Sequence, residues 1–211
     1  MATICPTVTA YDIDEYRTQA NRIIQFADRI HVDLMDGQFA PTQSPPLKQI
    51  WLPRHKVCDI HLMYQKPMDY LPQLIALRPN MVVIHNEAAV HHMHFAAELH
   101  REGIKAGLAL LHDTPVDYAE QIMHSFDHIL VFSGDLGHHG GVADLALLDK
   151  VRQVRELHPE AEIGWDGGIN DQNAQQLIAA GVDVLNVGGF VQRADDPAAA
   201  YATLKTLAGS V

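Results

Sequence analysis

Short apolar, β-branched runs alternate with amphipathic stretches along the whole chain. The runs predict strands over residues 2–8, 29–35, 57–63, 81–86, 105–110, 128–133, 161–165 and 183–187. Between them the apolar spacing lengthens to a helical rhythm, as in DEYRTQANRIIQFA, DYLPQLIAL, HHMHFAAELHREG, LALLDKVRQVREL and DQNAQQLIAAG. Asn170 or Asp171 is placed to cap the helix ending before Gly181, and Gly103 follows the helix before strand five. Strands alternating with helices imply a parallel sheet joined by right-handed crossovers. Eight such units in 211 residues fit a closed (β/α)8 barrel of the α/β class better than an open sheet. No Pro/Gly/Ser tract divides the chain, so residues 1–211 read as one domain. The second unit is irregular, because GQFAPTQSPP replaces most of its helix.

The polar positions inside the apolar runs carry the chemistry. In RIHVDLMDG, the two-residue strand period puts His31, Asp33 and Met35 on one face and Ile30, Val32 and Leu34 on the other. On strand three, Asp59, His61 and Met63 lie opposite Cys58, Ile60 and Leu62. The apolar sets suit the layer beneath the helices, which turns the His/Asp sets into the barrel. Strand seven ends at Asp166, followed by Gly167 and Gly168. Three strand ends thus deliver two histidines and two aspartates toward one axis, at the end where barrels of this kind hold their active sites. Burying such groups unpaired is costly. One divalent transition metal ion (Zn, Fe, Mn or Co) would compensate them. The plainer reading makes each histidine a hydrogen-bonded core residue and each aspartate a loop cap; four on three strand ends favour a site.

Glycine gives a second signal. SGDLGHHGG (133–141), DGG (166–168) and VGG (187–189) follow strands six, seven and eight. Glycine lets a backbone approach an anion closely, and loops after the last strands of such barrels recurrently bind phosphate. Each loop alone is ordinary turn geometry, but their clustering on adjacent strands points to phosphate.

Composition narrows the function class. Apolar residues at 47% and charged residues at 19% supply one core and no sign of disorder. A formal charge of −11 argues against nucleic acid as partner, yet not against a small anion held by backbone amides. Cys5 and Cys58 form no CxxC pair, as expected of a reduced cytoplasmic protein, and neither a leader nor a bilayer-length apolar run is present, so no membrane partner is expected. None of Lys48, Lys56, Lys66, Lys105, Lys150 and Lys205 falls at the catalytic end of a strand, which disfavours Schiff-base chemistry. His91, His92 and His94 crowd one helix start and read as a solvated surface.

At these residues the chain resembles the ribulose-phosphate 3-epimerase family. HVDLMDGQFAPT is similar to the family's HVDVMDGHFVPN, DIHLMYQKPMDYL to its DVHLMV-x-x-P-x-x-Y, IHNEA to its H-x-E-A, and WDGGIN to its VDGGIN. The resemblance implies a TIM barrel, with His31, Asp33, His61 and Asp166 as metal ligands and Asp33 and Asp166 as the acid/base pair. It implies substrate contacts from Thr7, Met35, His61, Met63, Gly137, His138, His139, Gly140, Gly141, Gly167, Gly168, Gly188 and Gly189. A small phosphorylated ketose is the implied partner, in a homo-oligomer, with interconversion of D-ribulose 5-phosphate and D-xylulose 5-phosphate as the activity. The DxKxxD motif of related decarboxylases and hexulose-phosphate synthases has no lysine in Asp33-Leu34-Met35-Asp36. The family's strand-one serine is Thr7, its strand-six methionine is Phe132, its PGFGGQ loop is Leu136-Gly-His-His-Gly-Gly141, and its Gly-Ser pair is Gly188-Gly189. These changes leave open another ketose phosphate, such as D-allulose 6-phosphate, or a phosphosugar-binding barrel without turnover. His138 and His139 either add charge to a phosphate or are plain exposed loop residues.

Overall fold

Eight strands close into an all-parallel barrel in the order β1 to β8, with β8 pairing back onto β1. They are β1 (Thr3–Thr9), β2 (Arg29–Met35), β3 (Val57–Met63), β4 (Met81–His85), β5 (Lys105–Leu110), β6 (His128–Phe132), β7 (Glu162–Asp166) and β8 (Val184–Val187). The structure is a computed structural model that describes residues 2–209. Around the barrel lie α1 (Ile13–Ile23), α2 (Leu71–Leu77), α3 (His92–Arg101), α4 (Glu120–Met123), α5 (Leu148–Leu157), α6 (Ala174–Ala179), α7 (Gly189–Gln192) and α8 (Pro197–Gly209). The second unit has a single 3-10 turn, Leu47–Gln49, in place of a helix, as its proline-rich sequence dictates.

The period-two pattern sorts the side chains into two layers. Ile30, Val32, Leu34, Cys58, Ile60 and Leu62 pack in the main apolar cluster with Tyr16, Ala20 and Ile23 of α1 and Leu74 of α2. The opposite faces fill the lumen in tiers. At the amino end of the strands, Arg29 bonds Asp59 at 2.5 Å and grips Glu162 through both terminal nitrogens at 2.7 and 2.8 Å. His128 Nδ1 joins Glu162 at 2.9 Å. Above this plug sits a small apolar tier of Met81, Val83, Ala109 and Leu130. The ionic plug and the dry tier leave the carboxyl end as the open mouth.

Asp12 caps α1 by accepting from the amides of Asp14 and Glu15, and Gly103 takes φ +72° after α3. Asn170 caps the turn that leads into α6: its Oδ1 accepts from the Gln172 amide, its carbonyl accepts from the Ala174 amide, and Asn173 Oδ1 accepts from the Asn170 amide in return. Two carboxamides fix the mouth end of β1. Gln19 of α1 bonds both the amide and the carbonyl of Thr9, at 2.9 and 2.8 Å, and Gln192 of α7 bonds the Thr7 carbonyl at 2.9 Å.

Candidate active site

Strand register gathers the site. Asp33 sits level with His61 across β2 and β3 and with Thr9 across β1 and β2, while Asp166 ends β7 level with Asn186 of β8. One donor atom from each of His31, Asp33, His61 and Asp166 lies within 4.8 Å of the others, and all four residues are buried. His61 Nδ1 is 3.0 Å from Asp33 Oδ1 and 3.5 Å from Asp166 Oδ2; His31 Nε2 is 3.3 Å and 3.5 Å from the same two oxygens. His31 Nε2 and Asp166 Oδ2 are buried and have no hydrogen-bond partner among the described residues. Buried polar atoms left in that state are destabilising, so the cluster is built for something placed between them.

The electrostatics fit a divalent cation. Burial alone would lower the His31 pKa, but the Asp166 and Asp33 carboxylates raise it to about 10. His61 is raised by the same contest between burial and the two carboxylates. Asp33, which burial would push up, is held well below the usual carboxylate range by His31 and His61. Two imidazoles whose protonated forms are favoured by the neighbouring carboxylates therefore share one buried cluster, and a divalent ion would supply the positive charge those protons otherwise bring. Two imidazole nitrogens and two carboxylate oxygens are ordinary ligands for a transition metal.

Outer partners orient the cluster. Thr9 Oγ1 donates to Asp33 Oδ2 at 2.6 Å. His61 Nε2 meets His85 Nε2 at 2.8 Å, and His85 Nδ1 lies 3.6 Å from Glu87 Oε2. Burial pushes His85 down to about 4, so it carries one proton near neutrality. A lone pair on His61 Nδ1 for a metal puts that ring's proton on Nε2, donating to His85; the His85 proton then faces Glu87. Glu87 is anchored in turn by Thr114 and by the Leu111 amide at 3.1 Å. This is the outer-shell pattern that fixes a ligand histidine's tautomer.

A cavity opens directly onto the cluster. Its wall includes Asp33, Asp166, Thr7, Thr9, Met63, Phe132 and Asn186, together with all the predicted glycines and His138 and His139. Thr7 Oγ1 and Asn186 Oδ1 are buried on this wall without partners among the described residues. Met35 and His61 are not on the wall; Met35 packs behind it with Met63 and Ala40. The loop after β6 is strapped over the mouth by Thr42 Oγ1 and Tyr11 Oη, which bond the Gly137 carbonyl at 2.6 and 3.3 Å. His139 is half-buried, 3.4 Å from Glu15 and edge-on to Tyr11, whereas His138 is exposed. Gly167 and Gly168 have positive φ, and a Cβ on either would meet the backbone of Gly134 or Ala143 at 2.2 or 1.9 Å. These glycines let the loops after β6 and β7 lie against each other. Trp165, wholly buried on the outer face of β7, holds this turn by donating to the Gly167 carbonyl at 3.0 Å.

The sequence matches the ribulose-phosphate 3 epimerase family over residues 3–192. The chain belongs to this family. It is 34% identical to the ribulose-phosphate 3-epimerase of Mycobacterium tuberculosis H37Rv, over 98% of this chain and 93% of that protein. It is 32% identical to the Bacillus subtilis enzyme of the same name, over 81% and 82% of the two chains. Its barrel superposes on Streptococcus mutans KGPDC with a TM-score of 0.78 at 12% identity, covering 100% of this chain and 99% of that one. It superposes on Salmonella typhimurium 3-hexulose-6-phosphate synthase with a TM-score of 0.73 at 14% identity, covering 99% of each chain. Identities this low speak for the shared fold alone. Family membership makes the chain an epimerase, and its buried His/Asp cluster can hold a metal ion. No helix among the described residues is long and apolar enough to cross a membrane.

The strand pattern and the glycine runs mark the four cluster residues and the loops around them, but not Thr9, His85, Glu87 or Asn186. For Thr9 the signal was present, since it shares a strand face with Thr7. For His85 and Glu87 it was the IHNEA segment, to which no role was attached.

Proposed function

We propose that the barrel interconverts D-ribulose 5-phosphate and D-xylulose 5-phosphate by removing the C3 proton on one face and returning a proton on the other. The observation that carries this reading is the pair of carboxyl groups, Asp33 on β2 and Asp166 on β7, converging on one cavity with two histidines between them. One carboxylate takes the proton α to the ketone, leaving a planar enediolate. The other, already protonated, delivers to the opposite face, and the reverse reaction exchanges the roles. His31, Asp33, His61 and Asp166 would hold a divalent transition metal, which when bound supplies Lewis-acid stabilisation of the developing negative charge. Met63 and Phe132 on the wall keep water from the intermediate. Thr7 Oγ1 and Asn186 Oδ1 are available to substrate hydroxyls. The glycines of the loops after β6, β7 and β8 hold the phosphate away from the reacting carbon.

The substrate is tested with the metal-loaded protein in parallel assays on D-ribulose 5-phosphate and D-allulose 6-phosphate. The proposal expects a higher kcat/KM on the pentulose phosphate. A clear preference for the hexulose phosphate would overturn it, and turnover of neither would leave a phosphosugar-binding barrel.

A further inference from the structure

Arg193 follows α7, and its side chain folds back across the loop after β8 toward the loop after β6. A Cβ built on Gly189 would fall 2.4 Å from Nη2, and one built on Gly140 would fall 3.3 Å from both Nη1 and Nη2. The guanidinium thus lies over Gly189 at the start of α7 and beside Gly140 in the loop after β6, in space that a side chain at position 189 would contest. It lines the same cavity as Asp33 and Asp166 and, among the described residues, is the only lysine or arginine on that wall. No hydrogen bond or ion pair engages the guanidinium among the described residues, although the chain carries a formal charge of −11. By contrast Arg155, on the opposite end of the barrel, is held by Asp183 at 2.6 Å.

We infer that Arg193 is the phosphate-recognising residue of this site, its guanidinium clamping the substrate's phosphate dianion between the loops after β6 and β8. A planar fork of N–H donors matches two phosphate oxygens at once, and a charge-assisted pair of this kind adds specificity that backbone amides alone lack. Such a clamp couples phosphate binding to the order of the strapped β6 loop, because the same guanidinium touches Gly140. Among the described residues no hydrogen bond or ion pair joins Arg193 to the His/Asp cluster, so its contribution falls on binding rather than on proton transfer. The inference rests on the phosphosugar reading of the site.

The test uses the full-length, metal-loaded protein with Arg193→Gln and Arg193→Lys. Inorganic phosphate serves as the binding probe by calorimetry, and D-ribulose 5-phosphate as substrate. Arg193→Gln is expected to weaken phosphate binding and raise KM by about tenfold to a hundredfold, with a much smaller change in kcat. Arg193→Lys recovers part of the loss, and in both variants kcat/KM is expected to fall far more for D-ribulose 5-phosphate than for unphosphorylated D-ribulose. A merely space-filling arginine would not separate the two substrates in this way. If phosphate binds wild type and Arg193→Gln equally, the clamp is wrong while the phosphosugar reading stands. If phosphate binds neither, and the phosphorylated ketose reacts no better than the free one, both fall.

Discussion

Metal uptake by the His/Asp cluster should expel protons far above the pH at which ordinary histidines have already lost theirs. In the free protein His31 is raised from 6.5 to about 10 by Asp166 and Asp33, against the opposing effect of burial. His61 is raised in the same direction. A ligand imidazole must be neutral, so each bound ion displaces the extra proton of whichever ring is in its protonated form, while each ring keeps its other N–H. The slope of log K for the metal against pH equals the number of protons released. With unperturbed histidines this slope would decay to nearly zero above about pH 7.5. With His31 near 10 it stays at about one up to about pH 9, and lies between about one and two near pH 6.5. The measurement is titration calorimetry with Zn or Mn in buffers of different ionisation enthalpy across that range, with competition by a chelator of known proton stoichiometry. His31→Gln should abolish the alkaline slope. A wild-type slope near zero at pH 8.5 would refute the charge account of the cluster, whatever the affinity.

Other substitutions report on the supporting structure. Thr9→Val removes a charge-assisted 2.6 Å bond to Asp33, an interaction worth roughly 1.5–3 kcal/mol; kcat/KM should fall about tenfold or more, while Thr9→Ser retains most of it. Glu87→Gln weakens the acceptor behind His85 and should lower metal affinity by about 10- to 100-fold, read by chelator competition with the fold intact by circular dichroism. An unchanged affinity would remove the relay from the account. Glu162 is held far below its ordinary 4.5, where burial would raise it, by Arg29 and His128. Its stabilisation is therefore full above about pH 4.5 and lost as pH falls toward the native-state value, at about 1.4 kcal/mol per pH unit. Glu162→Gln should cost about 2 kcal/mol at pH 7, between the values for exposed and buried pairs. Urea unfolding should show that gap closing near pH 3, and a gap independent of pH would contradict the ionic role.

The parts of the site legible in the sequence are those written in the local strand period. On β2 and β3 both strand ends and both faces follow from alternation, because a central strand cannot slip by one residue without exposing its apolar face. His31, Asp33 and His61 were visible for that reason, and Asp166 because two glycines end its strand. What long-range packing decides was not visible. Thr9 lies one residue past the predicted end of β1, and its place in the strand comes from Gln19 ten residues later. Phe132 was seen only as a departure, yet it faces the cavity beside Met63. The reach of Arg193 to Gly140 depends on a fold-back across 53 residues of sequence that no local pattern encodes. The short helix around Val116–Met123 also escaped notice, since a 3-10 turn followed by one α-turn leaves too few residues to show a period.

The central claim is that two carboxyl groups act on opposite faces of C3. It is tested most directly by running D-ribulose 5-phosphate with the metal-loaded protein in D2O and locating deuterium in the product by NMR. The account expects D-xylulose 5-phosphate carrying solvent deuterium at C3, and neither exchange nor product with Asp33→Asn or Asp166→Asn. Product that retains the substrate's own C3 hydrogen, or normal turnover in either variant, would contradict it.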